Sequence, residues 1–126
     1  MVKLKKLIIA CDGESASGKS TAAKLVSNKY KLTLINSGLL YRYCSKMLIK
    51  HKPKDIIQFL KKKFKTVSYN KIAKLNLHSE VISNHVAVIA KNKKIREIVN
   101  QVQMKIVRSN NRICIEGRDI ASKILA

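Results

Sequence analysis

Eight consecutive residues, Gly13-Glu14-Ser15-Ala16-Ser17-Gly18-Lys19-Ser20, satisfy G-x-x-x-x-G-K-[ST] at every fixed position. The glycines let the backbone curl so that N–H groups from Ser15 to Thr21 converge, and a following helix adds the partial positive charge of its N-terminus. Such a loop cradles a polyphosphate. Lys19 would bridge the β- and γ-phosphates, the Ser20 hydroxyl would hold Mg²⁺, and Thr21 would cap the α-phosphate side. Two further segments carry groups of the same kind. Asn36-Ser37-Gly38-Leu39-Leu40-Tyr41-Arg42 places a hydroxyl and a guanidinium close together, and Glu116-Gly117-Arg118-Asp119 adds a second guanidinium and two carboxylates. The glycine loop is common to GTPases, ATPases and small-molecule kinases, so it leaves the phosphate acceptor open.

The elements that must position these groups follow from the apolar pattern. Leu7 to Cys11 is an unbroken apolar run, which predicts a strand covered on both faces at the centre of a parallel sheet. Ser20 to Asn28 has a helical stripe at Ala22, Ala23, Leu25 and Val26, so the glycine loop lies between strand and helix, the setting its chemistry needs. Thr33 to Ile35 reads as a second strand. Leu39 to His51 reads as a helix with Leu40, Tyr43, Cys44, Met47 and Leu48 on one face. Pro53 is expected to open another helix, reaching Phe64, and Thr66 to Leu77 to form a small hairpin around Asn70. Ser79 fits a helix N-cap for residues 79–91, residues 94–108 make a longer helix, and Ile113-Cys114-Ile115 a third strand. In open α/β sheets ligands sit beyond the carboxyl ends of the strands, so the three polar segments are expected to line one crevice, with a donor and an acceptor site.

Composition narrows the class. The 126 residues include 27 Lys+Arg against 7 Asp+Glu, a net charge of +20, and 46% are hydrophobic, enough for one core. No apolar run approaches the length of a membrane span. Lysine dominates the basic residues and Trp is absent. The excess therefore reads as a solvated lysine coat, with a nucleic-acid surface and membrane-surface contact as the alternatives. Cys11, Cys44 and Cys114 show neither metal-ligand spacing nor an even disulfide count, and the N-terminus lacks an export signal; both point to the cytoplasm. His51, His78 and His85 belong to no catalytic or metal constellation.

At Gly13 to Thr21, Ser37-Gly38-Leu39-Leu40-Tyr41-Arg42, Lys94-Ile95-Arg96-Glu97 and Glu116-Gly117-Arg118-Asp119-Ile120, the chain resembles the bacterial cytidylate kinases, in the family's order and approximate spacing. The resemblance implies an α/β fold: a P-loop three-layer architecture with a parallel sheet ordered 2-3-1-4-5, whose last two strands lie beyond this chain. It implies one incomplete kinase domain over 1–126, with residues 64–91 as the monophosphate-binding insert. It further implies ATP and Mg²⁺ on the glycine loop and CMP or dCMP as acceptor. Lys19, Arg42 and Arg118 would then be catalytic. Ser37, Arg42 and Arg118 would hold the CMP phosphate, Arg96 would meet the N3/O2 edge of cytosine, and Asp119 would accept from its N4 amino group.

The plainer alternatives are a helix N-cap for Ser37 and ion pairs of Arg96 and Arg118 with Glu97, Glu116 or Asp119. Three positions depart from the family pattern: Asn36 in place of an acid, Glu14 in place of Pro, and Ala87 in place of a serine that helps read the base. The chain is expected to be truncated at its C-terminus, and to be active only if the missing half is supplied by a complementing C-terminal fragment or by a longer reading frame. The competing functions are a kinase piece that only binds nucleotide, and a basic module that holds a nucleic-acid phosphate in the glycine loop.

Overall fold

In the computed structural model, residues 7–12 and 19–117 are described, those at 11, 12 and 19–22 by their backbone alone. The elements in chain order are β1 (Leu7–Asp12), α1 (Lys19–Tyr30), β2 (Thr33–Asn36), α2 (Ser37–His51), α3 (Ile56–Thr66), α4 (Tyr69–Ala73), α5 (Glu80–Ile89), α6 (Lys93–Ser109) and β3 (Arg112–Gly117). They fall into two compact units: Met1–Ser37 with Gln103–Ala126, and Gly38–Val102.

The first unit carries the sheet. Its three strands are all parallel, in the order β1-β3-β2, which is the 2-3-1 portion of the expected sheet. Leu7 pairs with Arg112 and Asp12 with Gly117 across one ladder; Thr33 pairs with Ile113 and Asn36 with Glu116 across the other. Among the described residues β3 is therefore the middle strand and β1 lies at the edge, where the 2-3-1-4-5 order places it when the last two strands are not present. Burial follows position: Ile113, Cys114 and Ile115 are fully buried, whereas Leu7 to Ala10 are half-buried. Ala23 and Val26 of α1 pack with Leu32, Leu34 and Cys114. Leu25, on the same predicted stripe, faces solvent at 66% exposure.

The second unit is helical. Leu40, Tyr43, Cys44, Met47 and Leu48 of α2 form its core with Leu60, Ile72, Leu77, Ile89, Ile95, Ile98 and Val99. Each of its later helices starts on a side chain that accepts an otherwise orphaned backbone N–H. Asp55 accepts from Gln58, Ser68 from Lys71, Ser79 from Ile82, and Asn92 from both Lys94 and Ile95. These caps explain two departures from expectation. The third helix begins after Asp55 and not at Pro53, because the Asp55 carboxylate is the stronger start. Residues 66–77 form no hairpin; the Ser68 cap winds Tyr69–Ala73 into a short helix that drops Ile72 into the core.

Both long-helix ends that turn without glycine do so on lysine. Lys31 and Lys52 have φ of 54° and 45°, in the left-handed region. At the first, the Leu32 N–H reaches back to the Ser27 carbonyl at 2.9 Å, closing α1. At the second, Lys52 N–H donates to the Leu48 carbonyl at 3.0 Å and closes α2.

Candidate functional site

Parallel strands deliver their carboxyl ends to one edge of the sheet, and the two ladders make this concrete in the first unit. Asp12 is level with Gly117, and Asn36 with Glu116. The glycine loop leaves that edge after Asp12, Ser37 follows Asn36 as the first residue of α2, and Arg118 follows Gly117. Glu116 is buried, and its Oε1 accepts from Asn36 Nδ2. Ser37 is also buried. Lys19, Ser20 and Thr21 open α1, so a helix N-terminus follows the loop as the phosphate cradle requires. Gly13, Glu14, Ser15, Ala16, Ser17, Gly18, Arg118 and Asp119 lie outside the described residues, as do the side chains of Lys19, Ser20 and Thr21.

Two of the expected substrate residues, Arg42 and Arg96, lie in the second unit and each has a defined partner there. Arg42 Nη1 donates to the Leu77 carbonyl and to Ser83 Oγ, both at 2.9 Å. The exposed Arg96 guanidinium lies close enough to the phenol of Tyr41, the residue beside Arg42 on α2, to act on it electrostatically. Burial pushes the Tyr41 phenol above its ordinary range, and the Arg96 charge offsets part of that rise. Ala87, one of the departures from the resembled pattern, is an exposed residue of α5. Among the described residues no group of His, Cys, Asp and Glu is arranged to hold a metal, and no helix is long and apolar enough to cross a membrane.

Three partners were not anticipated from sequence. The Asn36–Glu116 pair follows once strands 2 and 3 are placed side by side, since each residue ends its strand. Ser83 carries no such signal, and the Leu77 acceptor is a backbone carbonyl that any residue type supplies. Chemically, the arrangement offers a helix N-terminus after a glycine loop in one unit, and in the other the Arg42 guanidinium held by two neutral acceptors with Arg96 beside Tyr41. Neutral acceptors leave the Arg42 charge uncompensated among the described residues, which suits an anionic ligand.

The parallel 2-3-1 sheet with its strand, glycine loop and helix defines a P-loop fold of the nucleoside monophosphate kinase class. The chain matches the family model for cytidylate kinase over residues 9–126, and it belongs to that family. It is 32% identical to the cytidylate kinase of Mesomycoplasma hyopneumoniae strain 7448 over 96% of its own length and 58% of the relative's. The cytidylate kinases of Clostridioides difficile strain 630 and Mycoplasmopsis synoviae strain 53 are 33% and 34% identical, over 94% and 95% of this chain and 59% and 61% of theirs. The chain thus spans about three fifths of the length of the relatives it matches.

Proposed function

We propose that the protein transfers the γ-phosphoryl group of ATP to CMP or dCMP, giving CDP or dCDP. The observation that carries this reading is the family match over residues 9–126, with a sheet edge that gathers the starts of all three motif segments. The donor set fits ATP and Mg²⁺: a helix N-terminus directly after the glycine loop, the Lys19 ammonium and the Ser20 hydroxyl. When bound, Mg²⁺ supplies charge neutralisation at the transferring phosphoryl group.

The acceptor phosphate is already ionised at neutral pH, so the chain's own residues need not remove a proton. Their task is to orient and neutralise. Lys19 draws the donor phosphates onto the loop, and Ser37, Arg42 and Arg118 hold the CMP phosphate. Arg96 and Asp119 read the cytosine edge, where the N4 amino group distinguishes it from uracil.

The test is ADP formation from MgATP on adding CMP or dCMP, with UMP and AMP as controls and Lys19→Ala as the blank. Turnover that depends on CMP and on Lys19 is the expected result. Equal turnover with UMP would overturn the cytosine assignment. MgATP retention with no CMP-dependent turnover would reduce the function to nucleotide binding.

A further inference from the structure

Arg42 is the guanidinium assigned above to the acceptor phosphate, and the present inference rests on that assignment. An arginine side chain has many rotamers, so one that must grip a phosphate gains from being held before the ligand arrives. Here the means of holding it is visible. The Nη1 amino group has two N–H bonds and faces two acceptors, the Leu77 carbonyl and Ser83 Oγ, each at 2.9 Å. Its donor capacity is therefore fully used within the second unit.

The remaining donors are Nε–H and the two N–H bonds of Nη2. The first of these lies parallel to one of the other two, and together they form the side-on fork that matches two oxygens of a phosphate. Among the described residues neither nitrogen makes a hydrogen bond. Among the described residues the guanidinium is thus divided, with one nitrogen committed to the protein and the Nε/Nη2 edge left for another partner.

The two acceptors differ in kind. Leu77 is fully buried, so its carbonyl is fixed by the core between α4 and α5. Ser83 is half-buried on α5, one turn beyond the Ser79 cap, and contributes through its side chain. We propose that Ser83 is a positioning residue for the acceptor nucleotide: it sets the plane of the Arg42 guanidinium so that the Nε/Nη2 edge meets the monophosphate.

The experiment is calorimetric titration of the parent chain, Ser83→Ala and Ser83→Thr with CMP and, separately, with MgATP. Alanine is a good helix former, so α5 persists, and a thermal melt followed by circular dichroism verifies this. Ser83→Ala is expected to bind CMP about 3- to 10-fold more weakly, the effect of one lost hydrogen bond, with MgATP affinity unchanged. Ser83→Thr, which keeps the hydroxyl, recovers the parent value. CMP affinity equal to the parent's in Ser83→Ala, or a loss shared equally by MgATP, overturns the positioning role while leaving the kinase reading intact. A parent chain that binds MgATP but not CMP sinks both.

Discussion

Asn36 and Glu116 are register partners at the ends of adjacent parallel strands, and the Asn36 side-chain amide donates to the buried Glu116 carboxylate. A buried carboxylate is tolerable only when donors satisfy it. Asn36→Asp would replace a donor with a second anion. One of the two carboxyls then takes a raised pKa in the folded state, so the penalty is small where both are protonated and grows as pH rises through the carboxylate range. The variant is expected to lose about 1–3 kcal/mol at pH 8, and less at pH 5. Urea unfolding at the two pH values checks this, and an identical loss at both would exclude charge repulsion.

Tyr41 and Arg96 allow a test of base recognition. Phenylalanine at position 41 keeps the ring but removes the acceptor that faces the Arg96 guanidinium. Tyr41→Phe is expected to narrow the preference for CMP over UMP by about fivefold, as one hydrogen bond to a charged group would. MgATP affinity should not move. Competition titrations with CMP and UMP read the ratio directly.

Cys44 gives the protein an alkaline weakness. It is fully buried in the helical core, and burial pushes its thiol from 9.0 up to about 12. Below pH 9 both folded and unfolded chains keep the proton and stability is complete. Above it the unfolded thiol ionises first, so stability falls by about 1.4 kcal/mol per pH unit until the folded thiol also ionises. The raised phenols of Tyr41 and Tyr43 add a loss of the same sign above their ordinary value of 10.0. Unfolding measured from pH 8 to 11 should show a steeper alkaline fall for the parent than for Cys44→Ala. In the native protein, Cys44 should react with thiol reagents only on unfolding.

Lys31 and Lys52 sit in the left-handed region that glycine enters freely. Lys31→Gly and Lys52→Gly are each expected to stabilise the chain by about 0.5–1 kcal/mol, the strain relieved exceeding the entropy glycine adds to the unfolded state. Lys24→Gly, on the exposed middle of α1, should do the opposite by about 1 kcal/mol. Thermal melts of the three variants decide whether backbone conformation is the cause; stabilisation by Lys24→Gly would point instead to relief of positive charge.

The sheet was legible because its strands are short apolar runs bounded by polar motif segments, a pattern with few other solutions. Strand order is not local information: Leu7 to Cys11 has the composition of a strand with two neighbours, and it was the family order 2-3-1-4-5 that put Ile113 to Ile115 between the other two strands of this portion. Residues 66–77 misled because a single capping serine and one buried isoleucine outweigh a weak alternation. In the candidate site, the guanidinium groups were visible as residue types at motif spacing. Their partners were not: Leu77 acts through its backbone, and Ser83 is one of many serines until the fold brings it to Arg42.

The β1–β3 ladder joins Leu7 to Arg112, so it closes a loop of more than a hundred residues, whereas residues 38–102 bury their core through helices that are near neighbours along the chain. Loop-closure entropy makes the first kind of contact slow and the second fast. During synthesis the helical unit can therefore condense while β1 waits for β3 to leave the ribosome. Until β3 emerges, β1 has no ladder to join among the described strands, so the strand that runs into Gly13 is ordered after the helices.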